Sequence, residues 1–458
     1  MRNSEPHTAV DNLVGRRINP GFDPESRRAL IAAKARNNPK ERFDNLLHHL
    51  TPSLILECLA KIPRKSATGV DGMTADQALE NLDWILPPIM ETIHKGNYQA
   101  PPVRRVYVPK LNNRKRPIGI PPVVDRAIQA SMSKILNEIY EQDFLNCSFG
   151  FRPKIGCHHA LATIHELMHE RKLNYALEVD IRDFFGSLSK DWLRKFLNLR
   201  IGDKRVLKLI DSWLEAGIME DGQWRLEEQG VPQGGSISPL LSNIYLHYVL
   251  DLWFENKIKR RLRGRSHLVR YCDDFLILFK DKQDLEDVKV LLQTRLSQFG
   301  LSIAEEKTHT TDLTFRTNTG PTDRRRITFL GFNIFRAINR KGNGTKVVFR
   351  TEGKRFSRAR ASMKNKLFKI MHQDPKVQVN MINSILVGYS NYYGIAGNMG
   401  KVHAFRDVTR RYWRKCLSRR SQNGLKSWKE IEALMKKCAF IMPKIKIGYS
   451  DLRRYVRL

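Results

Sequence analysis

Two short acidic segments set the chemistry open to this sequence. In the first, Tyr271-Cys272-Asp273-Asp274 lies between the apolar residues 268–269 and 275–279, a pattern that reads as a β-hairpin with two carboxylates at its turn. Carboxylates this close together sit comfortably only when a cation neutralises them. Taken alone, the pair is better explained as an Asp-rich turn, a common feature. A second acidic strand changes that balance, because residues 176–180 alternate as a strand and end in Asp180, followed by Ile181-Arg182-Asp183-Phe184-Phe185 where a helix begins. Asp180, Asp273 and Asp274 together supply hard oxygens from different elements, which is what two magnesium ions about 3.5 to 4 Å apart require.

Between these segments runs Gln229-Gly230-Val231-Pro232-Gln233-Gly234-Gly235-Ser236, whose paired glycines let the backbone approach a ligand before a helix opens. The elements that must position all three are short. Residues 43–59 are spaced as a helix, and 61–74 form a loop with tight turns around Thr68-Gly69-Val70-Asp71-Gly72. Residues 103–108 and 117–120 read as strands joined by a turn over 111–115, and 124–140 as a helix. Strands over 175–181, 268–271 and 275–279 are separated by helical stretches, which predicts an α+β domain with an antiparallel sheet. Beyond Phe329-Leu330-Gly331-Phe332 the chain turns basic and mostly helical, so a domain boundary is expected near residue 335. Residues 1–40 are polar and basic and are expected to be a loosely held extension.

With 458 residues, 41% hydrophobic and 28% charged, the composition is that of a folded protein of two to four domains. Eighty Lys and Arg against 47 Asp and Glu leave +33. Of this, residues 321–458 carry 33 basic and 7 acidic side chains, a net +26, which leaves +7 for residues 1–320. Such a C-terminal third suits a partner bearing many phosphates, and no basic amphipathic stretch points to a membrane. No secretory signal follows Met1, so a cytoplasmic location is expected. Six cysteines without a CxxC pair suggest neither disulfides nor a zinc knuckle.

The ordered series of segments resembles the group II intron reverse transcriptases over roughly residues 43–400. It comprises Ala67 to Gly72, Pro102 to Lys110 with Arg116-Pro117-Ile118-Gly119-Ile120-Pro121, and Ser148-Phe149-Gly150-Phe151-Arg152-Pro153. Asp180 to Phe185, Pro232 to Pro239, Tyr271 to Asp274, Gly300 to Thr308 and Phe329 to Phe332 complete it. The resemblance implies a right-hand polymerase, with fingers and palm over 41–335 and an α-helical, strongly basic thumb or maturase domain over 336–458. It also implies an RNA-directed DNA polymerase that extends a DNA or RNA primer on an RNA template, with two magnesium ions or manganese in their place.

Carried over position by position, Asp180, the Ile181 carbonyl, Asp273 and Asp274 resemble the metal ligands. Phe185 looks like the gate that rejects a ribose 2′-hydroxyl, and Lys110 and Arg116 like the residues that hold the incoming deoxynucleoside triphosphate. Gln233 and Gly234 match the loop under nucleotide and template. Lys307 resembles a lysine near the leaving pyrophosphate, and Tyr271 belongs with the nucleic-acid contacts. Gly388-Tyr389-Ser390-Asn391-Tyr392-Tyr393-Gly394 resembles the thumb signature, with some tyrosines expected as helical core and Tyr392 as a contact to nucleic acid. Arg410, Arg411 and Arg414 suggest a surface for phosphate and stacking contacts. Implied partners are a template–primer duplex, a group II intron RNA and a target DNA, with a homodimer left open. Cys272 and Gly186 depart from the family, which more often has a small and an acidic residue there.

His165-Glu166-Leu167-Met168-His169 fits the H-E-x-x-H pattern of zinc proteases. Its place between polymerase segments favours solvated histidines beside the nucleic-acid channel instead. Only 43 residues follow Lys415, with Cys416 and Cys438 unpaired in motif, so no HNH nuclease is expected. Besides an intron-encoded enzyme, a free-standing polymerase recruited for defence or DNA repair fits the sequence. An RNA-binding maturase with a dead polymerase fits less well, given the intact aspartates.

Overall fold

The computed structural model of the chain describes residues 24–109, 115–220, 223–225, 230, 234–314, 325–339, 341–420 and 426–458. Helices α1 (Pro24–Asn37), α2 (Pro52–Ala60), α3 (Ala75–Glu80) and α4 (Leu82–Lys95) come first. The helix expected from residue 43 begins only at Pro52. Thr51 Oγ1 accepts from Leu54 N at 3.3 Å, and a proline in the first helical position sacrifices no hydrogen bond. Phe43 instead bridges to Ile201. The loosely held extension is corrected in its described part, since Ile31 and Ala35 of α1 are buried in the main core. Arg200 fastens the segment behind them by donating to the Asn38 and Glu41 carbonyls at 3.0 Å.

Strands β1 (Val103–Pro109) and β2 (Lys115–Ile120) form an antiparallel hairpin with Val108 opposite Arg116. Helices α5 (Val123–Asp143) and α6 (Cys157–His169) lead to β3 (Tyr175–Asp180). Next come α7 (Lys190–Asn198), α8 (Lys204–Leu214), β4 (Ile218–Glu220), β5 (Gln223–Arg225) and α9 (Ser238–Leu246). Strands β6 (Ser266–Tyr271) and β7 (Asp274–Phe279), helix α10 (Lys282–Ser297) and β8 (His309–Asp312) follow. One sheet has the order β2-β1-β4-β5, and the central sheet has the order β6-β7-β3-β8 with all its pairs antiparallel.

The central sheet is covered on both faces, which explains why residues 275–279 are continuously apolar. Phe275, Ile277 and Phe279 enter one core with Leu177 and Val179, while Leu276 and Leu278 enter a second with Ala176 and Val269. That second core is completed by a third sheet, order β11-β10-β9, built from β9 (Ile327–Phe329), β10 (Phe332–Ile338) and β11 (Thr345–Thr351). The boundary expected near residue 335 thus falls inside β10. Positive charge begins to accumulate on strands whose apolar residues, Ile334, Val347 and Phe349, still pack against the central sheet.

Helices α11 (Gly353–Lys369), α12 (Pro375–Tyr393), α13 (Met399–Ser418) and α14 (Trp428–Lys437) then enclose a core of their own that includes Met363, Ile382, Phe405 and Trp413. Helix α15 (Tyr449–Tyr455) returns to the second core through Leu452. The class is the expected α+β, antiparallel sheets with helices followed by a helical unit. Among the described residues no helix is long and apolar enough to cross a membrane.

Candidate active site

The register of the central sheet assembles the aspartates. Asp180 stands directly opposite Asp274 across β3 and β7, and Tyr271 pairs with Asp274 across β6 and β7. Cys272 and Asp273 are therefore the two turn residues of a tight hairpin. Opposed residues share a face of the sheet with Cβ atoms roughly 5 Å apart, so two carboxylates meet there and a third overhangs them from the turn.

The turn has a strained residue and a close support. Cys272 adopts φ +61°, and its amide and sulfur lie against Gly150, where a Cβ would come within 2.6 Å of the Cys272 nitrogen. Glycine is needed at 150 because the hairpin leaves no room for a side chain. Beneath the turn, Arg270 is fully buried. Its Nε and Nη2 donate to Asp251 at 2.7 and 2.5 Å, Nη2 also to Ser148 Oγ at 2.7 Å, and Nη1 to Asn243 Oδ1 and the Cys272 carbonyl at 2.9 and 3.1 Å. Asn243 in turn donates to the Gly150 carbonyl at 2.6 Å. This network was missed in the sequence. Its one visible signal is a charged residue inside an otherwise apolar strand.

Electrostatically the site is short of positive charge at its centre. Burial, then Asp273, Asp180 and Glu178, push the Asp274 carboxyl up to about 7, although the residue as a whole is exposed. Burial also raises the Asp273 carboxyl, while Arg116 opposes the rise, which brings that fingers-side guanidinium within electrostatic reach of the turn. Glu178, on the same face as Asp180, accepts from Thr311 Oγ1 at 3.1 Å and Thr328 N at 2.7 Å, and burial pushes its carboxyl up to about 7. Lys307 Nζ donates to Asp180 Oδ2 at 3.0 Å. An ammonium therefore engages one of the oxygens a cation would use. Among the described residues no group of three or more His, Cys, Asp or Glu is closed into a metal-binding cluster, the aspartates included. The donor set is nonetheless that of a hard divalent cation, with carboxylates that raise one another's proton affinity.

Around this centre Ile181 forms a bridge with Ile303, and the Asp180 carbonyl accepts from Ala304 N at 2.9 Å, which anchors the end of β3. Phe185 is half-buried in the single helical turn Phe184–Ser187, edge-on to Phe184 at 5.3 Å. Gly186 has a local reason. A Cβ there would meet the Asp183 carboxylate at 2.3 Å, so Asp183 folds over the space where the family's acidic side chain would start. Gly234, at φ +128°, lies against β2, where a Cβ would sit 2.3 Å from the Gly119 carbonyl. The glycine loop and the hairpin bearing Arg116 are thus in contact. Lys110 and Gln233 lie outside the described residues.

A trough of about 780 Å³ opens beside Asp180 and Asp274, lined by Lys307, Arg326, Arg350, Lys354 and Lys401 among others. The more distant expectations fare unevenly. Tyr392 donates to the Leu330 carbonyl at 2.9 Å and stacks on Phe332, while Tyr389 and Tyr393 pack in the core. Arg410 and Arg414 each lie 4.6 Å from the Trp428 ring, and Arg414 Nε also donates to the Lys426 carbonyl at 2.7 Å. Two of the three arginines read as a phosphate surface are therefore engaged in holding α13 to α14. Arg411 is exposed. His165 is half-buried rather than solvated; it stacks on His169 at 5.4 Å and faces Phe349, and burial pushes its imidazole down to about 4.

Antiparallel strands that present paired carboxylates beside a basic trough define a class of enzyme that acts on phosphates of nucleic acid. Residues 108–334 match the family described as reverse transcriptase (RNA-dependent DNA polymerase). The chain is 34% identical over 284 residues to protein YkfC of Escherichia coli (strain K12), covering 55% of this chain and 74% of that one. It is 29% identical over 458 aligned residues to the group II intron-encoded protein LtrA of Lactococcus lactis subsp. cremoris, covering 82% of this chain and 74% of that one. A putative COX1/OXI3 intron 1 protein of Saccharomyces cerevisiae is 26% identical over 442 residues, covering 79% and 51%. The chain belongs to the group II intron reverse transcriptases and is an RNA-directed DNA polymerase.

Proposed function

We propose that Asp180, Asp273 and Asp274, with the Ile181 carbonyl, hold two magnesium ions, with manganese able to replace them, for nucleotidyl transfer at the end of a primer on an RNA template. The observation that carries this is Asp180 opposite Asp274 with Asp273 in the turn between. Cations bound there would lower the proton affinity of the primer 3′-hydroxyl and neutralise phosphate charge. The primer 3′-hydroxyl passes its proton to water as its oxygen forms a bond to the α-phosphorus, while the bond from that phosphorus to the β-phosphate oxygen breaks and pyrophosphate leaves. Arg116 and Lys110 orient the triphosphate, and Phe185 fills the space a 2′-hydroxyl would need. Gln233 and Gly234 support nucleotide and template. Lys307, whose ammonium donates to Asp180, would hold a proton for the leaving pyrophosphate. Tyr271 lies beside the primer end.

The basic C-terminal third, with Arg411 exposed on α13, binds the chain's own intron RNA, so that the enzyme serves as a splicing maturase and copies its intron into a DNA target. Relatives whose names place them in introns support this. A free-standing polymerase recruited by its host is the alternative. Primer extension on an RNA template tests the first part: Asp273→Asn and Asp180→Asn should each lose more than about a thousandfold in rate. Near-normal extension by either variant removes these residues from the site. Preference for its own intron over a random RNA of equal length, at one salt concentration, decides between intron partner and free-standing enzyme.

A further inference from the structure

At the far end of β6 from the aspartates lies a second basic feature. A pocket of about 530 Å³ is lined by Arg171, Lys259, Arg263, Arg265, Ser266 and His267 over a floor that includes leucine side chains. The six residues of β6 separate it from the aspartate turn by on the order of 20 Å.

The pocket is built rather than incidental. Ser266 and His267 are 6% and 8% exposed, yet Ser266 Oγ and His267 Nε2 have no hydrogen-bond partner. Buried polar atoms are rarely left so, and His267, opposite Leu278 on the face of the sheet that carries Leu167 and Leu173 of the pocket floor, is the one whose open nitrogen points to a ligand there. The cations are held at its rim by backbone. Arg171 N donates to the Glu166 carbonyl where Lys172, at φ +55°, ends the turn after α6. Asp284 accepts from Arg263 N and Gly264 N at 3.1 and 2.8 Å, and Lys280 N donates to the Arg265 carbonyl at 2.9 Å. Two side-chain carboxylates stand nearby, and Leu458, the last residue of the sequence, also lines the pocket, with its O accepting from Asn146 Nδ2 at 3.2 Å. Glu255 pairs with Lys259 at 2.7 Å, and Asp284 serves the loop backbone, so no ion pair engages the guanidiniums of Arg171, Arg263 and Arg265 among the described residues. Lys259 and Arg171 add to burial in disfavouring a charged His267, a mark of positive potential within the pocket.

We propose that this pocket takes a phosphate group of a bound RNA strand, a second phosphate site distant from the polymerase centre. Three guanidiniums without an ion pair among the described residues match the oxygens of a phosphodiester, neutral His267 offers a ring nitrogen, and the leucine floor accommodates ribose or base. The choice of an RNA strand as occupant rests on the maturase function proposed above, whereas the phosphate chemistry rests on the pocket alone.

The test is arginine-selective modification of the full chain with phenylglyoxal, read peptide by peptide, in four arms: no ligand, a short single-stranded RNA, adenosine monophosphate and inorganic phosphate. Protection of Arg171, Arg263 and Arg265 by RNA is the expected result. Arg171→Ala combined with Arg265→Ala should then lower the log–log salt dependence of RNA affinity by about 1.4 to 1.8. Protection by the monophosphate or by phosphate without protection by RNA overturns the strand as occupant. No protection in any arm, or an unchanged salt slope, overturns the pocket. Primer extension by the same double variant is expected to persist, and preference of the unsubstituted chain for its own intron over random RNA reads the maturase function separately, so the pocket and that function fail distinguishably.

Discussion

Arg270 and Asp251 form an ion pair with no solvent exposure on either side chain, and the guanidinium spends its remaining donors on Ser148, Asn243 and the Cys272 carbonyl. A charge pair of this kind contributes little net stability against an apolar substitute, yet breaking it strands a buried charge. Its location beneath the aspartate turn suggests that it orients rather than stabilises. Arg270→Met should cost about 3 to 5 kcal/mol in chemical denaturation, from Asp251 left unpaired. Arg270→Met with Asp251→Leu should regain most of that stability but not the rate of primer extension, because nothing then holds the Cys272 carbonyl. Full recovery of the rate would show the pair to be structural only.

Phe185 lies half-buried beside Phe184, with its backbone close under Gly230. Phe185→Ala should raise the efficiency of ribonucleotide relative to deoxynucleotide incorporation, measured as a ratio of kcat/KM values. An unchanged ratio would assign the gate to another side chain.

The aspartate turn was legible in the sequence because its flanks are apolar and strand-like and its two acids stand together, and the central strands were legible from their apolar runs. What lay hidden depended on partners remote in the chain. Nothing local joins Arg270 to Asp251, or Arg410 and Arg414 to Trp428. Arginines on a helix read as a nucleic-acid surface until a ring from the next helix is found between them. The boundary near 335 misplaced the end of the sheets for a similar reason, since charge on the exposed face of a strand is silent about the face that packs. Thr51 and Pro52 were local start signals for α2 that the apolar periodicity of residues 43–59 obscured.

The three arginines of α13 should accordingly separate. Arg411→Ala should leave the unfolding midpoint unchanged and lower the log–log salt slope of RNA binding by about 0.7 to 0.9. Arg410→Ala or Arg414→Ala should lower stability by roughly 0.5 to 2 kcal/mol through loss of the contact with Trp428. Equal salt effects with no loss of stability at all three positions would contradict this division.

His247 is buried against Phe144 and Tyr248, and burial pushes its imidazole down to about 4. The folded chain therefore resists a proton that the unfolded chain accepts near its ordinary value of 6.5. Its contribution is complete above pH 6.5 and is lost as pH falls toward about 4, at a cost of roughly 3 kcal/mol. His247→Phe should flatten the fall in stability across that window when urea midpoints are compared. Parallel curves for the two proteins would show that His247 is not the group being protonated.

The two-faced burial of β7 has a consequence for how errors in folding would show. Odd-numbered residues from Phe275 feed one core and even-numbered residues feed the other, and Asp274 continues the even series into the cleft. A slip of one residue would exchange phenylalanines for leucines in both layers at once and carry Asp274 away from Asp180. Misregistered molecules should therefore be lost to unfolding rather than persist as folded but idle enzyme, so that the amount of soluble protein becomes a fair count of correctly aligned carboxylates.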